Sequence, residues 1–127
     1  MFKRCPIYIV DDDPALRFWM AELCEEAGLD HKAFETGTEF LAAVDGLPAG
    51  CVLLDMRMPG LSGLQVQADL ERRGSMMTVV AMTGFGGVEV AVQAMKLGAV
   101  EFLEKPFTGE DLLAAITAAG ACCPPKE

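Results

Sequence analysis

Four polar segments of the chain contain residue types that could carry out chemistry. Three consecutive aspartates, Asp11 to Asp13, follow one apolar run, Asp55 follows a second, Thr83 a third and Lys105 a fourth. Carboxylates that gather in one place repel one another unless a cation compensates their charge. Magnesium is the best candidate, because it prefers oxygen ligands and is typically held by one or two carboxylates together with phosphate oxygens. The residue types therefore indicate a bound hard cation, provided that these segments meet.

The elements that must position these segments alternate five times between short β-like runs and amphipathic helical stretches, which is the signature of an α/β fold. The third run, Cys51 to Leu54, is apolar without alternation, as in a parallel sheet with helices on both faces. Predicted strands span residues 5–10, 30–34, 51–54, 78–82 and 100–104. Predicted helices lie between residues 13 and 28, 36 and 44, 62 and 74, 87 and 98, and 108 and 120.

Local signals mark the starts of several helices. Asp13 stands before a proline and is predicted to cap the first helix. Thr36 with Glu39, and Ser62 with Gln65, have the three-residue spacing of capping boxes. These signals support the alternation of strands and helices inferred from the apolar pattern.

The fourth predicted helix carries one apolar face. Val88, Ala91, Val92 and Met95 recur along it at helical spacing, and Gly98 terminates it. Such a stripe is typical of a helix that packs against a protein core.

Parallel strands joined by right-handed crossovers end at one edge of the sheet, and ligands bind outside those carboxyl ends. In this topology Asp11, Asp12, Asp55, Thr83 and Lys105 converge from four segments. Two plainer interpretations stay open from the residues alone. The acidic run could be only a solvated turn with a helix cap, and Lys105 only a solvated lysine at a strand end.

Size and composition limit the possible classes of protein. The 127 residues, 52% of them hydrophobic, make up one ordinary domain. A net charge of -9, from 10 Lys+Arg and 19 Asp+Glu, argues against direct binding of nucleic acid or of a membrane surface. The apolar run near the N-terminus stops at Asp11 and is too short for a signal peptide or a membrane span, so a cytoplasmic location is expected.

The cysteines fit that location, because five scattered cysteines do not form a secreted disulfide framework. Cys5, Cys24 and Cys51 are expected to be small core residues. The adjacent pair Cys122-Cys123 lacks the spacer of zinc and redox motifs, so neither role is expected there.

Four motifs together resemble the response regulator receiver family of two-component signalling. They are IYIVDDD at residues 7–13, LLDMRMPGLSG at 53–63, MTG at 82–84 and EKPF at 104–107. Each motif alone is moderate evidence, but all four occur in order at the ends of successive predicted strands. The resemblance covers essentially the whole chain and implies a flavodoxin-like, doubly wound, five-stranded parallel sheet of order 2-1-3-4-5 with five helices.

The resemblance also implies roles for individual residues. Asp55 resembles the family's phosphoryl acceptor, and Asp12 the carboxylate that contacts Mg2+ directly, with Asp11 beside it, partly through water. The backbone carbonyl of Arg57 would be a further metal ligand, and the ammonium of Lys105 would pair with phosphoryl oxygens. In the family the Lys-Pro bond that follows is usually cis.

Two further residues match the family's switch positions. Thr83 resembles the hydroxyl that hydrogen-bonds the phosphoryl group, and Phe102 stands where the family more often has tyrosine. The family's switch remodels the surface formed by the fourth helix, the fifth strand and the fifth helix. The implied partners are a sensor histidine kinase or a phosphotransfer protein, and a second copy through that surface.

The resulting prediction is a receiver domain over residues 1–121, followed by a tail or the start of a linker at 122–127. Its output is expected to be transcription, and the chain is either a stand-alone receiver or part of a longer regulator. It is not expected to be an enzyme beyond phosphorylation and dephosphorylation of its own Asp55.

Three other functions are compatible with parts of this pattern. A flavodoxin-like mononucleotide binder needs a hydroxyl- and glycine-rich loop where the three aspartates stand. An aspartyl-phosphate phosphatase would carry its nucleophile after the first strand. A receiver could also act as a protein-interaction module without phosphorylation.

Overall fold

The computed structural model describes residues 5–84 and 86–119, so the predicted tail at 122–127 lies outside the described residues. The strands are β1 Ile7–Val10, β2 His31–Phe34, β3 Cys51–Asp55, β4 Thr78–Thr83 and β5 Glu101–Glu104. The helices are α1 Pro14–Glu26, α2 Gly37–Ala43, α3 Gly63–Arg72, α4 Val88–Lys96 and α5 Gly109–Ala119, with a short 3-10 turn Val44–Gly46 after α2. Every predicted strand and helix is present, and the ends differ from the prediction by about two residues at most.

The five strands form one parallel sheet in the order β2-β1-β3-β4-β5, which confirms the predicted topology. The register of β1 against β3 matters most for function, because Val10 pairs with Leu54. Asp11, directly after β1, and Asp55, the last residue of β3, therefore lie side by side at the carboxyl edge of the sheet.

The hydrophobic core lies on both faces of the sheet, and β3 runs through its centre with every residue buried. Val52 and Leu54 point into the layer under α2, α3 and α4. Cys51 and Leu53 point into the layer under α1 and α5. Burial on both faces explains why this strand is apolar without alternation.

The predicted helix caps are present, with one difference. The Asp13 carboxylate accepts hydrogen bonds from two backbone N–H groups of α1, and Ser62 and Gln65 form a complete capping box at α3. Thr36 caps α2 through the N–H of Glu39, but the Glu39 carboxylate accepts from the N–H of Glu35 rather than from Thr36. The capping box predicted for Thr36 and Glu39 is therefore shifted by one residue on its Glu39 side.

Only part of the predicted apolar face of α4 packs against the core. Its buried residues are Ala91 and Ala94, whereas Val88, Val92 and Met95 are 66%, 47% and 41% exposed. Hydrophobic periodicity identified the helix but not the side that packs.

Cys5, Cys24 and Cys51 are buried, as predicted. Cys5 also takes part in a disulfide bond, which the sequence interpretation did not foresee. The pair Cys122-Cys123 lies outside the described residues. Among the helices of the described part of the chain, none has the length and apolar character needed to cross a bilayer.

Candidate functional site

Three carboxylates meet at the carboxyl edge of the sheet. Asp11 directly follows β1, Asp55 ends the adjacent strand β3, and the two are 0% and 4% exposed, with Asp12 half-buried beside them. One ligand oxygen from each lies within 4.8 Å of the others. The interpretation of residues 11–13 as a solvated turn therefore holds only for Asp13, which caps α1.

Asp11 is held from three directions. Its Oδ1 accepts a hydrogen bond from the backbone N–H of Asp13 at 2.8 Å, and its Oδ2 accepts from Lys105 Nζ at 3.0 Å. Its backbone carbonyl accepts from Nη1 of Arg17 at 2.7 Å. Sequence reasoning missed Arg17, although its place one helical turn after the cap was a usable signal.

Lys105 lies between the two buried carboxylates. It follows β5, its peptide bond to Pro106 is cis, and Nζ lies 3.0 Å from Asp11 Oδ2 and 3.3 Å from Asp55 Oδ2. The alternative of a lysine that is merely solvated is therefore wrong. One ammonium offsets only part of the charge of three carboxylates.

Burial raises the pKa of Asp55 from 3.8 to about 6. The N–H of Arg57, which donates to Asp55 Oδ1 at 3.0 Å, lowers this pKa, the negative charge of Asp11 raises it, and Lys105 lowers it. Near pH 7 the carboxyl group is therefore mostly ionised.

Burial also acts on Lys105, whose pKa it lowers, but the hydrogen bond from Lys105 to Asp11 and the charges of Asp11 and Asp55 outweigh that effect. The net result is a pKa above the ordinary 10.5, so the side chain is a permanent cation at this edge.

The turn between β3 and α3 brings backbone close to Asp55. A Cβ on Gly63, the first residue of α3, would lie 2.6 Å from the backbone oxygen of Asp55. Only glycine permits this approach, because real Cβ atoms do not come so near to a backbone oxygen. The N–H of Gly63 donates to the carbonyl of Met56 at 3.1 Å, which fastens α3 beside the site.

Thr83 and Phe102 lie on the neighbouring strands β4 and β5 and are not part of this group. Thr83 ends β4, is buried, and its Oγ1 donates to the carbonyl of Leu103 at 3.4 Å. Phe102 lies on β5 and is 44% exposed. The Thr83 hydroxyl is thus engaged with β5 rather than with a carboxylate.

The residues present fit a magnesium ion. The donor set consists of carboxylate oxygens, which are the ligands that Mg2+ prefers. Two of these carboxylates are buried, where uncompensated negative charge is costly, and Lys105 neutralises only part of it.

An apolar cleft opens beside Lys105. Trp19 of α1 and Phe107 pack together there, with ring centroids 5.9 Å apart and ring planes tilted by 41°. The cleft is lined by Asp13, Leu16, Trp19, Lys105, Pro106 and Phe107. The single tryptophan of the chain therefore lies beside the charged group.

Comparison with known proteins gives consistent relatives. The family model for the response regulator receiver domain matches residues 7–117. The transcriptional regulatory protein FixJ of Azorhizobium caulinodans is 46% identical over 118 residues, which are 93% of this chain and 56% of that protein. FixJ of Bradyrhizobium diazoefficiens is 45% identical over 119 residues, which are 94% of this chain and 58% of the relative. The chain thus spans little more than half the length of these curated relatives.

A solved structure agrees with the family match and with these relatives. The crystal structure of FixJ-N has a TM-score of 0.89 to this chain at 33% identity, and the match covers 94% of this chain and 95% of that one. Family match, relatives and fold agree over nearly all of the described residues, so the chain belongs to the response regulator receiver domain family of two-component signalling.

Proposed function

We propose that this domain accepts a phosphoryl group on Asp55 from a phosphohistidine of a sensor histidine kinase or a phosphotransfer protein. The proposal depends on one observation, which is that Asp11, Asp12 and Asp55 offer oxygens within 4.8 Å of one another while Lys105 contacts two of them. A phosphoryl group carried by Asp55 needs this combination of nearby cation ligands and a fixed positive charge.

In the proposed reaction a carboxylate oxygen of Asp55 attacks phosphorus and forms a new O–P bond. The bond from phosphorus to the imidazole nitrogen of the donor breaks, and the nitrogen keeps the electron pair. Asp55 requires no general base, because its pKa of about 6 leaves it mostly ionised near neutral pH. The N–H of Arg57 and Lys105 Nζ hold the two carboxylate oxygens and so orient the nucleophile.

Asp11, Asp12, Asp55 and the backbone carbonyl of Arg57 would hold Mg2+. When bound, the ion supplies charge neutralisation for the phosphoryl oxygens. Support comes from the three clustered carboxylates and from the Arg57 backbone, whose N–H already contacts Asp55. Lys105 would pair with phosphoryl oxygens from the other side of Asp55.

Thr83 and Phe102 would transmit the change. A phosphoryl group adds about one and a half to two negative charges and new acceptor oxygens, which would draw the Thr83 hydroxyl away from the Leu103 carbonyl. Phe102, which is now exposed, would turn into the space that Thr83 leaves. It has no hydroxyl, so this coupling would depend on packing alone.

The output is proposed to be transcription, because the FixJ relatives are named transcriptional regulatory proteins. The exposed apolar residues Val92, Met95 and Phe102 support a second copy of the chain as a partner at the surface formed by α4, β5 and α5. The net charge of -9 favours DNA contacts outside this domain. We also propose that the receiver covers residues 1–121 and that a tail or linker begins at 122.

Intact-mass measurement after incubation with Mg2+ and acetyl phosphate tests the proposal. The wild-type chain is expected to gain the mass of one phosphoryl group, and the gain should disappear on omission of Mg2+. Asp55→Asn is expected to show no gain, because an amide cannot act as the carboxylate nucleophile.

Asp45→Asn is the matched control, because Asp45 is an exposed aspartate remote from the cluster. This variant should be phosphorylated like the wild type. If the wild type gains no mass, or Asp55→Asn gains as much as the wild type, Asp55 is not the acceptor and the domain acts as an interaction module.

A further inference from the structure

Helix α4 has little hydrophobic contact with the rest of the domain. Its buried residues are two alanines, Ala91 and Ala94, which offer much less apolar surface than the Leu112 and Ile116 that α5 buries. Of its larger apolar side chains, Val88, Val92 and Met95 are exposed, and Val90 packs against the core while only partly buried. Packing alone therefore fixes this helix weakly, and other contacts must define its position.

One such contact lies at the start of α4. The N-cap residue is Gly87, which makes no side-chain hydrogen bond to the helix. Instead, the carboxylate of Glu104 on β5 accepts a hydrogen bond from the backbone N–H of Gly86 at 2.9 Å. An anion near the N-terminus of a helix is also favoured by the helix dipole. Glu104 thus joins the approach to α4 to the edge strand of the sheet.

A second contact lies near the end of α4. Nε2 of Gln67, on α3, donates to the backbone carbonyl of Ala94 at 3.0 Å in a buried setting. The same carbonyl accepts from the N–H groups of Leu97 at 3.1 Å and of Ala99 at 3.0 Å. Because those backbone bonds already satisfy the carbonyl, the side chain of Gln67 is not needed to complete the helix end, and its effect is to connect α3 to α4.

Gln67 is an unusual residue for a buried position. It is 3% exposed, and its Oε1 is buried with no hydrogen-bond partner among the described residues. A buried amide with one unsatisfied end costs stability that an apolar side chain of similar size would avoid. A cleft of about 140 Å3, lined in part by Gln67, Leu97 and Gly98, lies at the same seam between α3 and α4. The seam therefore has room for the end of α4 to shift.

We propose that Gln67 and Glu104 are the two tethers that hold α4 in the position of the unphosphorylated domain. The loop from Thr83 leads directly into α4, and the Thr83 hydroxyl bonds to β5 just as Gly86 does. Movement of Thr83 toward a phosphoryl group on Asp55 would pull this loop. The pull would strain the hydrogen bonds that Gln67 and Glu104 make. This last step depends on the proposed function, but the tethers themselves do not.

The two tethers would bias an equilibrium between a resting and a shifted position of α4. A contact made only in the resting arrangement lowers the population of the shifted one, and its loss raises that population by the same factor. Removing either tether should loosen α4 and make the domain respond more readily to a phosphoryl group.

Hydrogen exchange followed by mass spectrometry, without phosphodonor, tests the tethers. In Glu104→Ala and in Gln67→Leu, the amides of residues 88–96 should exchange about three- to tenfold faster than in the wild type. Glu104→Gln keeps an acceptor oxygen and should restore most of the protection. Glu22→Ala, which removes an exposed glutamate of α1, should leave exchange in α4 unchanged.

Beryllium trifluoride with Mg2+, an inert phosphoryl mimic, tests the link to phosphorylation. Each tether variant should bind it about three- to tenfold more tightly than the wild type. Gln67→Met provides a second apolar variant if Gln67→Leu folds poorly.

If hydrogen exchange in α4 is unchanged in both Glu104→Ala and the apolar Gln67 variants, Gln67 and Glu104 do not hold α4 in place. Faster exchange with unchanged affinity for the mimic would overturn the link to phosphorylation alone. Failure of the wild type to bind the mimic would count against the proposed function, and the exchange result would still decide the tethers.

Discussion

Asp55 combines two demands that oppose each other. The proposed attack on phosphorus requires an ionised carboxylate, yet Asp55 is buried beside Asp11, which favours its neutral form. Lys105 and the N–H of Arg57 offset part of that penalty. The proposed phosphoryl acceptor is therefore also a site of destabilisation at neutral pH.

The raised pKa of Asp55 makes the stability of the domain depend on pH. Because its pKa is about 6 in the folded chain and 3.8 ordinarily, the folded state binds the proton more tightly than the unfolded state. Asp55 therefore favours folding fully below about pH 4, and that contribution is lost as pH rises through about 6. Relative to Asp55→Asn, the wild type should lose about 1 to 3 kcal/mol of unfolding free energy between about pH 4 and pH 7.

Urea unfolding of both proteins without divalent cations measures this difference. Asp30→Asn, at an exposed aspartate, controls for general charge effects and should follow the wild type. If the difference in unfolding free energy between the wild type and Asp55→Asn does not change with pH, the pKa of Asp55 is not raised in the folded chain.

At the scale of the elements, the site depends on how closely α3 approaches the end of β3. The first residue of α3 must be glycine, because a Cβ there would meet the backbone of Asp55 and Met56. The same turn carries Ser62, whose capping box fixes the start of the helix. The position of Asp55 is thus coupled to the position of α3.

Gly63→Ala should consequently destabilise the domain by about 1 to 3 kcal/mol, the usual cost of forcing extra volume into a packed site. It should also slow phosphorylation, because the backbone that must move carries Asp55. Gly46→Ala is the matched control, since a Cβ at Gly46 meets no atom within 4 Å. Urea unfolding and intact-mass time courses measure both effects, and equal stability of the two variants would contradict the packing argument.

The elements also show what sequence alone can predict. Strands, helices and most caps follow from local patterns, and the adjacency of Asp11, Asp55 and Lys105 follows from parallel topology even though Lys105 and Asp11 are 94 residues apart. The tethers of α4 could not be predicted, because Gln67 and Ala94 are 27 residues apart and no local signal relates them. The face of α4 was ambiguous for a similar reason, since periodicity marks an apolar side without saying whether this chain covers it.

At the scale of the whole molecule, a strongly acidic domain carries its most buried negative charges at one edge of the sheet. The net charge is -9, and among the residues that the structure describes Asp11 and Asp55 are the buried carboxylates. A cation held at that edge would bind the folded state alone, because the carboxylates of β1 and β3 are distant in an unfolded chain. Cation binding should therefore stabilise the entire domain.

Mg2+ should accordingly raise the midpoint of thermal unfolding at constant ionic strength. Saturation at a hundredfold excess over the dissociation constant adds about 2.7 kcal/mol. Asp12→Asn should reduce the shift strongly, whereas Asp30→Asn should preserve it. Circular dichroism melts with Mg2+ and with EDTA measure the effect, and an equal shift in both variants would assign it to general screening.

The place of Trp19 has a practical consequence. The chain has one indole, and it shares a cleft with Lys105, the residue that would touch an incoming phosphoryl group. Any rearrangement of that ammonium alters the electric field and the water around the fluorophore. The domain therefore contains its own optical reporter, whose emission arises from a single position beside the lysine that contacts Asp55.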